Sequence, residues 1–303
     1  MHLLPNKMFG IHVMEAFDMA KKARTHKLCE KHPLIAAVLA LMIPTVIIAL
    51  ISNIGEKASV YAGYLGMVIA AVVVMLLFKA WFSPEFKGFV KPGISAKKIG
   101  LMMIPYFIFV VLSVISFLIF HGTIDFNPTI KSVLMGLSAG FGEEGMFRIF
   151  ALAIVMRFLK KENRALTTTI VISIVFGLFH IGNIQQGADP GMTVAQVFTS
   201  LFMGLFFAAI YLRSGSVILP IFAHAFYDWV CFVTDPTLSS DGIVVGTYGT
   251  GELIYAIVTA VLLGVTGIYM LRKSKRSETN ELWNRKWSYT PAAEPAAAEE
   301  ASA

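Results

Sequence analysis

Residues 129–159 read TIKSVLMGLSAGFGEEGMFRIFALAIVMRFL, an apolar run that carries Glu143, Glu144 and Arg148 near its centre. The run is longer than the roughly 20 residues needed to cross about 30 Å of hydrocarbon. Each ionisable side chain held inside such a span costs roughly 2.5–3.5 kcal/mol on insertion scales, so three kept together imply a use.

Seven further apolar segments surround this one: about 33–53, 60–82, 100–120, 167–182, 193–212, 215–234 and 252–271. The 303 residues are 56% hydrophobic and only 15% charged, with a mean hydropathy of +0.71. An ordinary soluble domain is nearer a quarter charged. A single water-soluble core is therefore excluded. The expected fold is an all-α polytopic membrane protein with about eight transmembrane helices and a polar intramembrane cavity. No cleavable signal peptide is expected, because the first thirty residues lack a short apolar core followed by small residues.

The basic residues alternate from loop to loop. They fill the N-terminus (Lys7, Lys21, Lys22, Arg24, Lys27, Lys31) and the loop after the second segment (Lys87, Lys91, Lys97, Lys98). They return after the fourth (Arg157, Lys160, Lys161, Arg164), the sixth (Arg213) and the eighth (Arg272, Lys273, Lys275, Arg276). The intervening loops hold mostly acids, among them Asp125, Asp189, Asp235, Asp241 and Glu252. The positive-inside rule then puts both termini in the cytoplasm of an integral plasma, inner or endomembrane protein. The net charge of +6 is explained by basic loops facing anionic lipid, with no nucleic acid required. Cys29 and Cys231 fall too far apart in this topology to form a disulfide.

Five regions follow. Residues 1–32 form a basic, amphipathic leader, 33–128 the first three spans, and 129–235 a core of four spans that holds the chemistry. Residues 236–273 supply an outer loop and the eighth span, and 274–303 a cytoplasmic tail. That tail is expected to be disordered, with Trp283 and Trp287 anchoring at the interface. The histidines outside the spans, His121 included, give no functional signal, and Asp125 and Asp189 read as ordinary solvated loop residues.

Helical residues four apart share a face and adjacent ones diverge by about 100°. Glu144 thus pairs with Arg148 as structural support, and Glu143 is the freer carboxylate, a candidate general base. Two other spans carry one histidine each, in Phe176-Gly177-Leu178-Phe179-His180 and His224-Ala225-Phe226-Tyr227-Asp228. A glutamate and an imidazole sharing a water can deprotonate it for attack on a carbonyl. His180 is the candidate partner of Glu143, with Phe176 packing around it. His224 is a candidate oxyanion donor, and Asp228 either orients His224 or, if protonated, adds a second donor. A metal reading is also open, with Glu143, His180 and His224 around zinc, although HExxH is absent. By helix rise from the cytoplasmic ends, Glu143 and His180 lie roughly 20–25 Å deep and His224 only roughly 10–15 Å. A tilt or a break near Pro220 would close that gap.

The three motifs, EExxxR, FxxxH and HxxxD, resemble those of the CAAX protease and bacteriocin-processing family (Abi, or type II CAAX prenyl endopeptidase-like proteins) over roughly residues 130–235. The resemblance implies a helical membrane fold with a polar cavity open towards the cytoplasm. It implies peptide-bond hydrolysis by a glutamate-activated water, with the first glutamate and first histidine on that water and the later HxxxD near the oxyanion. No cofactor is expected, with zinc as the alternative because older descriptions of the family invoke a metalloprotease. The implied partners are membrane lipids and a prenylated or otherwise membrane-associated peptide or protein substrate. The competing readings are a non-catalytic membrane scaffold or bacteriocin self-immunity protein and a proton-coupled transporter. The last is weakened by the lack of an internal repeat.

Overall fold

The computed structural model describes residues 27–83, 85–124, 126–238 and 248–288. The expected amphipathic leader falls mostly outside them. The long helices are α1 (Pro33–Glu56), α2 (Val60–Trp81), α3 (Ala96–His121), α4 (Ile130–Glu144), α5 (Phe150–Phe158), α6 (Arg164–Phe179), α7 (Pro190–Ser214), α8 (Ile218–Thr234), α9 (Thr250–Met270) and α10 (Arg276–Lys286). A wide π-helical turn, Gly145–Ile149, joins α4 to α5, and tight 3-10 turns, His180–Gln186, continue α6. No strand occurs among the described residues.

Among the described residues, six helices are long and apolar enough to cross a membrane: α1, α2, α3, α6 with its 3-10 extension, α7 and α9. The seventh expected span is the shorter helix α8, and the fourth is α4–α5, interrupted by the π turn. Large apolar side chains such as Leu50, Ile69, Leu76, Ile119 and Leu262 point outward, as lipid-facing surface requires. Only 28% of the apolar window is buried in α1, α2, α3 and α9, against 61% in α7. Helix α7 is therefore the central post of the bundle. Helices α6 and α9 pack against it, and α4 packs against α8.

The α4–α8 interface rests on two glycines one turn apart. A Cβ on Gly136 would come within 2.6 Å of the Ala225 carbonyl oxygen and 2.9 Å of Trp229 Cβ. One on Gly140 would drive into the Ile221 carbonyl and lie 2.7 Å from Ala225 Cβ. Small residues at this spacing let membrane helices approach closely. The approach brings the end of α4 against the middle of α8, closing the depth gap expected between Glu143 and His224.

The described part of the tail departs from expectation, and 289–303 lie outside the described residues. Arg276–Lys286 is helix α10, and Trp283 and Trp287 are 0% and 1% exposed rather than anchored at an interface. Trp283 Nε1 donates to the Leu212 carbonyl at 2.9 Å, in the last turn of α7, where helix carbonyls lack partners of their own. Trp287 Nε1 donates to the Ala153 carbonyl at 3.0 Å, and its rings meet Phe78, Phe82 and Phe86. The Lys286 ammonium donates to the carbonyls of Gly88 and Lys91 at 2.9 and 3.0 Å. A polar helix is ordered here because two indoles and Leu282 find an apolar socket, while its charges face outward.

Candidate active site

Glu144 and Arg148 are both 0% exposed, with Arg148 Nη1 2.7 Å from Glu144 Oε1. The guanidinium also lies over the Phe176 ring, 4.4 Å from its centroid, a cation–π contact that helps hold a buried charge. The spacing predicted this pair. It did not predict that the same Glu144 oxygen accepts from His224 Nδ1 at 2.9 Å. Glu144 therefore bridges Arg148 and His224. The imidazole is further fixed by Phe207, stacked at 5.3 Å and 25°, and by Phe176 edge-on at 5.9 Å.

His180 caps α6, and its Nδ1 lies 2.9 Å from the Phe176 carbonyl oxygen. A carbonyl only accepts, so Nδ1 carries the proton and Nε2 presents a lone pair. That lone pair faces Ser200 Oγ at 3.4 Å and Glu143 Oε2 at 3.9 Å. Phe176 thus does more than pack: its ring supports both histidines and its carbonyl selects the tautomer of one.

Glu143 Oε2 is buried without a hydrogen-bond partner among the described residues. It lies 3.9 Å from His180 Nε2 and 3.8 Å from His224 Nε2. Both separations exceed a direct hydrogen bond and suit one bridging water. The Glu143 side chain is 24% exposed, unlike the sealed Glu144. Asp228 Oδ2 flanks His224 Nε2 at 3.6 Å, on the cavity side, so Glu144 and not Asp228 meets the Nδ1 edge of the ring.

These groups floor a cavity of about 400 Å³. It runs past Asn183 and Ala188 to Asp235, Leu238 and Tyr248, in the loops after α6 and α8. Those loops lie at the end of the bundle away from the basic ones. The cavity and the basic loops were expected to share a side; they do not, because α10 and the aromatic cluster around Trp287 fill the basic end. Near the mouth, His121 Nε2 pairs with Glu252 Oε1 at 2.8 Å, and Asp235 accepts from Thr237 and Tyr248. His121 therefore has a partner, and Asp189, read as a solvated loop residue, caps α7 by accepting from Met192 N.

Glu143, His180 and His224 converge, but no group of three or more His, Cys, Asp or Glu side chains suited to hold a metal occurs among the described residues.

Residues 125–230 match the family described as Rce1-like, type II CAAX prenyl endopeptidase Rce1-like. That stretch of the chain is similar to this family, and the resemblance read from the three motifs falls within it. No curated protein and no solved structure gives a match. The matched segment contains all three motifs, from Glu143 to Asp228. Elements beyond it complete the site: Tyr106 on α3 donates to the Ala223 carbonyl beside His224, and Tyr255 and Ala256 on α9 line the cavity.

Proposed function

We propose that the chain is an intramembrane endopeptidase that hydrolyses a peptide bond in a CAAX-type C-terminal or other membrane-associated peptide. The observation that carries this is Glu143 Oε2, unpartnered and within one-water reach of both imidazoles. Water donates one hydrogen to the His180 Nε2 lone pair and the other to the Glu143 carboxylate. Its oxygen then attacks the scissile carbonyl carbon, and Glu143 takes the proton. Breakdown of the tetrahedral intermediate cleaves the C–N bond, and Glu143 returns the proton to the leaving amine.

His224 faces the oxyanion through Nε2. Its Nδ1–H is already given to Glu144, so Nε2 donates only when both ring nitrogens carry protons. Removing one such donor typically costs about 10²–10³ in rate. Asp228 beside it adds a donor if protonated and opposes the oxyanion if ionised.

The test compares purified wild type and Glu143→Gln on quenched-fluorescent prenylated and unprenylated peptides, with and without a chelator. Cleavage by wild type alone is expected. Equal cleavage by the variant removes Glu143 from the base role, and chelator sensitivity would restore the zinc alternative.

A further inference from the structure

We propose that the cavity is loaded from the membrane face opposite the cytoplasm, so that of the two substrate classes named above it takes the second, a membrane-associated peptide segment exposed on that outer face. The inference rests on the hydrolase reading for what the cavity does, and on independent observations for where it opens.

The first observation is the lining. Asn183, Ala188, Gln196, Asp235, Tyr248 and Glu252 reach the cavity from the ends of α6, α7, α8 and α9 that carry the sparsely basic loops. The second is the charge at the other end. Lys87 and Lys91 lie between α2 and α3, Lys97 and Lys98 in the first turn of α3, Lys160 and Lys161 between α5 and α6, and Arg272 and Lys273 after α9. Short loops rich in lysine and arginine stay on the cytoplasmic side.

The third observation is that the basic end is closed. Helix α10 lies across it with Trp283 and Trp287 buried, and Lys286 is tied to the Gly88 and Lys91 carbonyls of the α2–α3 loop. A peptide arriving from that side meets packed indole and phenyl rings.

The chemistry of the wall agrees with an internal segment as substrate. Glu143, Asp228, Asp235 and Glu252 line the cavity, and none of its described lining residues is lysine or arginine. A terminal carboxylate, which a CAAX-type substrate carries close to its scissile bond, has no guanidinium or ammonium there to meet it. A neutral or basic segment suits this wall better.

The experiment uses the full chain in cells, with Cys29 and Cys231 replaced by serine. Gln196→Cys is placed at the cavity mouth and Lys161→Cys in a basic loop, and a membrane-impermeant maleimide is applied before and after permeabilisation. Gln196→Cys labelled in intact cells, with Lys161→Cys labelled only after permeabilisation, is the expected result. The reverse pattern overturns the proposal. A fluorescent protein fused after Ala303 gives a second reading, bright for a cytoplasmic C-terminus; alkaline phosphatase activity at the same position would also overturn it. Neither readout needs turnover, so an inactive protein still answers the question, whereas inverted labelling of an active one leaves the hydrolase reading intact.

Discussion

Glu144, at the end of α4, receives the Nδ1–H of His224 from the middle of α8 at 2.9 Å, eighty positions along the chain. One oxygen of that carboxylate serves both the imidazole and Arg148. Position in the fold and position of a site group are therefore held by the same atom.

Removing Glu144 leaves Arg148 as an uncompensated buried charge, which costs about 3–5 kcal/mol. Glu144→Ala should lower the melting temperature in detergent and reduce turnover, since His224 loses its Nδ1 acceptor. Arg148→Ala should lower the melting temperature comparably. An unchanged melting temperature in both variants would show that the pair contributes nothing to stability.

The glycines of α4 should differ sharply in tolerance. Gly140→Ala pushes α4 off the backbone of α8 and is expected to destabilise by about 1–3 kcal/mol while separating Glu144 from His224. Gly142→Ala meets only the flexible end of Met67, at 2.6 Å from its Cε, and should be tolerated. Thermal melts of the two single variants check this; equal loss in both would mean the helix itself is the sensitive element.

Asp228→Asn replaces a carboxylate with an amide that donates at the same place without a charge. Turnover at or above wild type is expected if Asp228 acts towards the oxyanion. A fall of about 10²–10³, the usual cost of losing an oxyanion contact, would show that the carboxylate itself is required.

Glu278 on α10 accepts from Arg213 at 3.0 Å and from Lys275 and Lys98 at 3.3 Å. The Arg213 hydrogen bond foremost, against opposing burial, holds its carboxyl down from 4.5 to about 2. Because the folded-state value is depressed, the stabilisation is complete above about 4.5 and fades as pH falls towards 2. The group is a third exposed, so the effect is at most about 1 kcal/mol. Arg213→Ala should remove most of that acid sensitivity; melts at pH 6 and pH 3 that drop equally in variant and wild type would assign it elsewhere.

The all-helical membrane fold and the Glu144–Arg148 pair were legible because both depend on local quantities. Apolar run length marks a span, and 100° per residue separates Glu143 from Glu144. The Glu144–His224 contact was not legible, since it depends on how closely two distant helices approach, and Gly136 and Gly140 set that distance from a stretch otherwise read only for its charges. Ser200 and Phe207 were missed for a related reason: a serine and a phenylalanine in an apolar helix carry no mark of which neighbour they will face. Helix α10 was hidden by its own polarity, because Trp283 and Trp287 find their sockets on α7, α5 and α2 rather than on adjacent sequence.

Helix α10 also follows every described span in the chain, so it leaves the ribosome after them. All the described spans are made before the two indoles exist, so the basic end of the bundle stays unfilled until those indoles follow. A chain released before Arg276 would enter the membrane with every motif of its site present and an apolar hole at its basic end. Such a hole distinguishes a finished molecule from an unfinished one, which gives the cell's quality-control machinery a physical basis for sorting them.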